Sequence, residues 1–408
     1  LVGPNCLGVL NTDRNCPLNG AFSSAQPPIG TVAIGTQSGA MGFVFPDYIQ
    51  CRQIGISQLL SIGNKQLVGE NDLLAHWQND SATHIILLYL ESFQDPREYR
   101  RLARQVASTK PIVALKAGNT RAGRRAAASH TAALAGPEAA AQALFRQTGT
   151  IHCDSLQQLF DVTTLLAAQP LPRGRRVAIL TNAGGPGVLC CDALEDHGLE
   201  VPELSHALRR ALGEKLPAAA SVRNPVDLIG STQPDHFEHC LDRLLDSDEI
   251  DAVIVIYVPR LPDTSPAIAR VLRQCTQRHT DKTCLAVLME SSVSLPDITL
   301  PPKSAALPAP PVPTFRYPES AAVALAKAVR RWEWLQRPDG AIPTDGNIPW
   351  EAVRTIVDAA LAQPASDEVW LEAGDTFKLL TASGLACPRW EVVGSVSEAV
   401  TAAEHFTG

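Results

Sequence analysis

"TVAIGTQSGAMGFVFPDYI" (residues 31–49) joins, in order, a short apolar strand pattern, a polar turn with glycine, and an apolar helical run. "RVAILTNAGGPGVLCCDALEDHG" (176–198) repeats the same three parts. Internal repeats fix an architecture, and strands that alternate with helices favour parallel sheets with right-handed crossovers. The sequence therefore predicts two doubly wound α/β units, each with its active loops at the carboxyl ends of its strands.

The duplication continues downstream of both segments. "SIGN" (61–64) and "NPVDLIGS" (224–231) are second turns. "DLLAHWQNDSATHIILLYLES" (72–92) and "CLDRLLDSDEIDAVIVIYVPR" (240–260) each read as a helix that leads into a buried strand. We therefore expect the two units to share one topology.

We expect the chain to be part of a longer protein, because it starts with Leu1 rather than methionine and its flanking patterns indicate folded units cut at both ends. The proline-rich stretch 300–315 is predicted to be a loop, followed by a helix near 319–335. The carboxyl-terminal stretch 375–408 reads as helix, turn, strand and helix. The expected domain ranges are 1–25 for an upstream remnant, 26–168 and 172–335 for the two α/β units, 336–366 for a linker and helix, and 367–408 for a truncated last domain.

Composition excludes several classes of protein. The 408 residues carry 35 Lys and Arg against 42 Asp and Glu, so no global positive field attracts nucleic acid. The ten cysteines form no CxxC pair, which is typical of a reducing compartment without a disulfide framework or zinc site. The apolar runs are too short to span a bilayer, and we expect no signal peptide. We expect a cytoplasmic protein that binds neither nucleic acid nor membrane.

Two glycine-containing turns stand where a strand passes into a helix. Glycine lets a ligand approach the backbone closely, and a helix amino terminus offers unpaired N–H groups and partial positive charge. Both turns are therefore candidate phosphate sites, with a tight structural turn as the alternative for each. Their residues are Gln37, Ser38 and Gly39 in the first, and Asn182, Ala183, Gly184, Gly185 and Gly187 in the second.

His130 lies in "GRRAAASHTAALAG" (123–136), a run of small residues. Imidazole can act as acid, base or nucleophile near neutral pH, and small neighbours would let a phosphorylated ring enter narrow sites. Pro137 is expected to be the first residue of the next helix. The alternative is a surface histidine on an alanine-rich turn.

Glu91 ends the apolar strand pattern "LLYLES", where a carboxylate is costly unless it has a partner. It could hydrogen-bond an imidazole and fix its tautomer, or it could simply begin a solvated loop. "VGPNCLGVLN" (2–11) places glycines beside Asn5 and Cys6, although nothing in the sequence indicates a reactive thiol. The function of the Asn-Pro turn at 224–225 stays open.

Six motifs in this order resemble the NDP-forming acyl-CoA synthetases, a family related to succinyl-CoA synthetase. They are "GPNCLG", "TQSGAMG", "SIGN" with "LLYLES", "SHTAALAG", "TNAGGPGV" and "NPVDLIG". The resemblance covers residues 1 to about 335 and implies two flavodoxin-like domains. Residues 1–25 would then end a CoA-binding Rossmann domain, and "FKLLTASGLACPRW" (377–390) resembles the start of an ATP-grasp domain.

The resemblance implies a ligase of the ADP-forming acetate–CoA type. Acyl-CoA and phosphate give an acyl phosphate, which phosphorylates a histidine, and the phosphohistidine passes its phosphoryl group to ADP. His130 matches the phosphorylated residue, Glu91 the carboxylate that orients it, and the two glycine turns the helix termini that hold its phosphate. A loop beside the CoA thiol is matched by Gly3, Pro4, Asn5 and Cys6.

The implied ligands are CoA, ATP or ADP, phosphate, a small carboxylate, and magnesium held mainly by the missing ATP-grasp part. We expect a homo-oligomer. Lys65 and Gln66 depart from the smaller residues common in the family, which leaves the acyl group open. An alternative is the acyl-CoA or nucleotide-sensing part of a protein lysine acetyltransferase, in which a similar chain is fused to a GNAT domain.

Overall fold

The computed structural model describes most of the chain in two compact units, Leu1–Arg337 and Pro338–Gly408. Each unit is treated by itself below. The described residues are 2–23, 26–52, 54–123, 125, 138–259, 265–289, 312–338, 340, 348–362 and 370–406.

The first sheet of the larger unit is mostly parallel. Its strands are β1 (Val9–Asn11), β2 (Leu18–Asn19), β3 (Ile29–Thr36), β4 (Ile56–Ser61), β5 (Ile85–Leu90), β6 (Ile112–Lys116) and β7 (Ile151–Cys153). They lie in the order β2-β1-β4-β3-β5-β6-β7, and β1 pairs antiparallel with both β2 and β4. The segment predicted as an upstream remnant therefore adds an antiparallel edge to this sheet.

The second sheet repeats the parallel part of the first. Its strands are β8 (Val177–Thr181), β9 (Val226–Asp227), β10 (Ala252–Tyr257), β11 (Thr283–Leu288) and β12 (Thr314–Phe315). The order β9-β8-β10-β11-β12 corresponds strand for strand to β4-β3-β5-β6-β7. This is the 2-1-3-4-5 order of flavodoxin-like folds. The predicted pair of doubly wound, flavodoxin-like domains is confirmed.

Helices cover the faces of both sheets. They are α1 (Gly39–Cys51), α2 (Glu70–Asn79), α3 (Pro96–Ala107), α4 (Glu138–Thr148), α5 (Leu156–Ala168), α6 (Gly184–Asp196), α7 (His206–Gly213), α8 (Pro234–Asp246), α9 (Ser265–Arg278) and α10 (Pro318–Leu335). All residues of β6, β8, β10 and β11 are buried, as expected for parallel strands covered on both faces.

Helix α10 joins the two sheets into one body. It packs against α5 of the first domain and against α6 of the second. Ala321, Ala324 and Ala328 on this helix are fully buried, and their small side chains let neighbouring helices approach closely. One hydrophobic core therefore contains side chains from both sheets.

The smaller unit contains α11 (Trp350–Leu361), α12 (Ala373–Ala382) and α13 (Val396–Phe406). The strand expected within 385–394 is wrong, since these residues form neither helix nor strand. A strand is stabilised by hydrogen bonds to a neighbouring strand, and local sequence alone does not supply that partner.

Candidate active site

The predicted site residues Gln37 and Glu91 of the first domain lie at the point where the strand order of its sheet reverses. Gln37 follows β3 and Glu91 follows the adjacent parallel strand β5. Helices on opposite faces diverge at this switch point, which leaves a crevice at the carboxyl ends of the strands where ligands bind in open α/β sheets. Asn182 follows β8 at the corresponding point of the second sheet, beside the end of β10.

Gln37 holds the loop that follows β5. Its side chain is buried, and its Oε1 accepts hydrogen bonds from the backbone N–H groups of Glu91 (2.8 Å) and Ser92 (3.1 Å). Its Nε2 donates to the Ser92 hydroxyl at 3.1 Å. The Gln37 amide thus fixes the backbone that carries Glu91.

Asn182 makes the equivalent contacts in the second domain. Its Oδ1 accepts the N–H of Val258 and its Nδ2 donates to the Val258 carbonyl, both at 2.9 Å. The preceding threonines match as well, because Thr36 and Thr181 each donate their hydroxyl to the carbonyl two residues on, at 2.9 Å. The sequence placed Gln37 and Asn182 in candidate phosphate-binding turns, but it did not indicate that their side-chain amides join two strand ends.

Glu91 has an unpaired carboxylate oxygen. Its Oε2 is buried and has no hydrogen-bond partner among the described residues. Burial, and then the charge of Glu91, raise the pKa of the neighbouring Tyr89. A buried oxygen without a donor is costly, so this position fits a site that receives an N–H group from a ligand or from another part of the protein. The second domain has Val258 and Pro259 at the corresponding strand end, and therefore no carboxylate.

Both glycine turns begin helices as predicted. In α1 the Ser38 hydroxyl accepts the Met41 N–H at 3.4 Å, which is a weak cap. Helix α6 begins after Ala183, whose side chain makes no cap hydrogen bond. Gly184 and Gly185 are exposed, and a side chain added at Gly185 would meet no atom within 4 Å. The first turn of α6 is therefore open to an anion.

The loop of Gly3, Pro4, Asn5 and Cys6 lies against the "SIGN" turn. The Pro4 carbonyl accepts the Asn64 N–H at 3.0 Å, and a side chain at Gly63 would come within 2.2 Å of that carbonyl oxygen. The loop also reaches α1, since a side chain at Gly39 would lie 3.9 Å from the Asn5 carbonyl oxygen. The structure thus brings the predicted CoA-thiol loop to the beginning of α1.

A buried ion pair, which the sequence did not indicate, supports the loop after Glu91. Lys65 Nζ lies 2.9 Å from Glu70 Oε2 and donates to the Ser92 carbonyl at 2.7 Å. Glu70 Oε1 accepts the Gln94 N–H at 2.6 Å, and both charged side chains are almost fully buried. Lys65, which departs from the smaller residues common in the family, therefore supports the loop that follows Glu91.

The "NPVDLIG" turn is hydrogen-bonded to β8 and reaches the beginning of α6. Asn224 accepts the Ile179 N–H at 3.0 Å and donates to the Val177 carbonyl at 2.9 Å. Asp227 lies at the start of α6, with its carboxylate 3.3 Å from the place of a Gly184 side chain. Sequence spacing did not connect Asp227 with the glycine turn.

His130 and Pro137 lie outside the described residues. Within the described part of the chain, no group of three or more His, Cys, Asp or Glu side chains is placed to hold a metal ion. In that same part, no helix combines the length and apolar character needed to cross a membrane.

Comparison with known protein families assigns both α/β domains. Residues 29–166 match the succinyl-CoA ligase like flavodoxin domain, and residues 177–335 match the Ligase-CoA domain. A solved structure of the dinucleotide forming acetyl-coenzyme A synthetase 1 of Ca. Korarchaeum cryptofilum, in complex with phosphate and ADP, has the same fold. It aligns with a TM-score of 0.75 and 29% identity over 84% of this chain and 73% of that chain.

Curated relatives extend the similarity beyond the two domains. The 4-hydroxybutyrate–CoA ligase [ADP-forming] of Nitrosopumilus maritimus is 31% identical over 100% of this chain, which spans 57% of that protein. The alpha subunit of acetate–CoA ligase [ADP-forming] II of Pyrococcus furiosus is 34% identical over 81% of this chain and 71% of the subunit. The resemblance found in the motifs is thus confirmed, and the chain belongs to the NDP-forming acyl-CoA synthetase family.

Proposed function

We propose that this chain is the central part of an ADP-forming acyl-CoA synthetase of the acetate–CoA ligase type. Phosphate attacks the thioester of an acyl-CoA, releasing CoA and forming an acyl phosphate. A histidine nitrogen then takes the phosphoryl group and releases the carboxylate. Transfer from the histidine to ADP gives ATP. The substrates are CoA, a small carboxylate, phosphate and nucleotide, as the relatives' names suggest.

The unpaired buried oxygen of Glu91 is the observation that carries this proposal. We assign His130 as the phosphorylated residue and Glu91 as the acceptor of one imidazole N–H. That hydrogen bond leaves the other ring nitrogen free to attack phosphorus and stabilises the imidazolium character that develops. Gln37 positions Glu91 through the loop backbone and would lie beside the phosphate.

The phosphate would be held by backbone N–H groups at the beginnings of α1 and α6. Ser38 and Gly39 supply the first set, and Gly184, Gly185 and Gly187 the second, with Asn182 and Ala183 shaping the turn. A dianion at a helix amino terminus gains about 0.3–1 kcal/mol from each helix dipole, and more where it is partly buried. The loop of residues 3–6 would present the thioester beside α1.

Phosphorylation of the full-length protein tests the proposal. Incubation with labelled ATP and magnesium should give an acid-labile, base-stable phosphate. His130→Ala should abolish the label, and Glu91→Gln should slow its formation at least tenfold because a neutral amide orients the imidazole less strongly. The matched control is His206→Ala, which removes an exposed histidine at the start of α7 and should label normally. Absence of acid-labile phosphate, or its persistence in His130→Ala, would refute the assignment.

That the protein forms a homo-oligomer stays a prediction, and fusion to a GNAT domain stays the alternative. The complete open reading frame decides whether a GNAT domain is present. Sedimentation of the full-length protein decides its oligomeric state.

A further inference from the structure

A cavity separate from the candidate active site lies beside the edge strand β7. Its volume is about 510 Å³, and α4, β7 and α10 line it, so both α/β domains contribute to its wall. Gly149 and Thr150 precede β7 and Asp154 follows it, so the cavity runs along this short strand. Strand β6 separates β7 from β5, and none of the lining residues belongs to the candidate active site. The cavity is therefore distinct from the crevice beside Glu91.

The lining carries an excess of positive charge. Two carboxylates, Asp154 and Glu333, also line the cavity, and Glu333 is paired with Arg175 outside it. Burial lowers the pKa of His152, so this ring adds no full charge near neutral pH. The cationic residues of the lining are Arg146, Lys327, Arg330, Arg331 and Arg337.

Arg331 is the residue that indicates a ligand. Its side chain is 97% buried, with 3% relative exposure, and its Nη2 donates to the Ala107 carbonyl. Its Nε and Nη1 are buried and have no hydrogen-bond partner among the described residues. Arg331 also lines an adjoining cavity of about 250 Å³, so this residue stands between the two cavities. Burial lowers the pKa of this guanidinium to about 10, which still leaves it charged at pH 7.

A guanidinium that is buried without an anion lowers the stability of the folded protein. Removing a cation from water costs several kcal/mol unless a partner compensates, and a planar guanidinium pairs two N–H groups with two oxygens of one oxyanion. Nε and Nη1 of Arg331 diverge from each other, but each converges with one N–H of Nη2, and the Ala107 carbonyl takes only one of the two Nη2 hydrogens. One bidentate pair therefore remains, and no carboxylate of the described chain fills it, because Nε and Nη1 have no partner there.

We propose that this interdomain cavity binds the dianionic phosphate group of a small metabolite, with Arg331 as the bidentate anchor. Several cations converge on the lining, and this fits a dianion better than a single carboxylate. Lys327 and Arg330 lie one turn or less before Arg331 on α10 and line the same cavity. Because α4 and β7 belong to one domain and α10 to the other, the bound phosphate would also tie the two domains together.

Ligand-induced stabilisation of the full-length protein tests this site. Inorganic phosphate, titrated at constant ionic strength against chloride, should raise the unfolding temperature of the native protein. In Arg331→Met the apparent phosphate affinity obtained from these shifts should be at least tenfold weaker. Arg331→Lys keeps the charge without the planar guanidinium. Its apparent phosphate affinity should lie between those of the native protein and Arg331→Met. Adenosine monophosphate in a parallel titration distinguishes a nucleotide from free phosphate, since a nucleotide site binds it more tightly than inorganic phosphate.

The matched control is Arg101→Met, which removes an exposed arginine paired with Glu98 on α3 and should leave the phosphate effect unchanged. Without phosphate, Arg331→Met should unfold at the native temperature or above, because the uncompensated buried charge is gone. Equal phosphate stabilisation in Arg331→Met and in the native protein would overturn the proposal. So would a lowered unfolding temperature of Arg331→Met without phosphate, which would make Arg331 a structural group. Labelling of His130 reports on the candidate active site and not on this cavity, so a failure of the proposed function would be distinguishable from a failure of this proposal.

Discussion

At the scale of single residues, the candidate site depends on side chains that fix the backbone around it. Gln37 and Asn182 occupy equivalent turns, and each uses its amide to hold the end of a neighbouring strand. An amide that accepts one backbone N–H and donates to another group satisfies buried polar atoms that a turn would otherwise leave unpaired. Gln37 and Asn182 therefore play the same hydrogen-bonding role in the two domains.

Lys65 should matter more for stability than an ordinary charged residue. Lys65→Met leaves the carboxylate of Glu70 buried without its cation, and breaking a buried pair in this way costs about 3–5 kcal/mol. The double variant Lys65→Met with Glu70→Gln should recover most of that loss. Urea denaturation of the single and double variants measures both values.

The control for Lys65 is Arg101→Met, since the Arg101–Glu98 pair on α3 is exposed and screened by solvent, so its loss should leave the free energy of unfolding almost unchanged. A Lys65→Met variant as stable as this control would show that the buried pair does not support the loop.

At the scale of elements, α6 begins without a capping side chain, and this open end is where phosphate is proposed to bind. An Asp or Ser cap would satisfy the first N–H groups and stabilise the isolated helix. Glycine and alanine leave those groups available, so the helix start is less stable alone and better suited to a ligand.

Gly185→Ala separates stability from binding at this helix. The added methyl group meets no atom within 4 Å, and alanine favours a helix over glycine by about 0.5–1 kcal/mol. The variant should therefore fold at least as stably as the native protein. Its phosphohistidine label should nevertheless form several-fold more slowly, because the methyl group occupies space where the phosphate approaches the N–H groups.

Gly213→Ala at the end of α7 is the matched control for Gly185→Ala, since its nearest contact would be Val222 at 3.8 Å. It should label at the native rate. Normal labelling of Gly185→Ala would argue against phosphate at the start of α6.

At the scale of the whole molecule, α10 makes the two α/β domains one folding body. The helix belongs to the second domain in sequence, yet it packs against α5 of the first and donates from Lys327 to the His152 carbonyl at 2.6 Å. Loosening this helix should therefore affect both sheets.

Ala328→Leu tests that coupling. Ala328 is fully buried in the core shared by both domains, and overpacking a core position costs about 1–3 kcal/mol. Amide hydrogen exchange should speed up in strands of both sheets, including β6 and β10. The exposed Ala139→Leu on α4 is the control and should change neither sheet. Faster exchange confined to the second sheet would mean that the domains unfold independently.

Sequence patterns predicted the topology because each strand, glycine turn and helix is a local unit, and the same unit occurs twice. They also placed Glu91 and both turns at strand ends, as the structure does. They missed the Lys65–Glu70 pair and the approach of Asp227 to Gly184, because these contacts depend on how distant loops fold together. The strand expected in 385–394 is wrong for a related reason, since a strand depends on a neighbouring strand that local sequence does not contain.

The unequal strand ends of the two domains have one more consequence. Glu91 follows the third parallel strand of the first domain, whereas Val258 and Pro259 follow the corresponding strand of the second domain. Divergence after duplication has thus kept a carboxylate at only one of these two strand ends, and we expect only the first domain to orient an imidazole in this way.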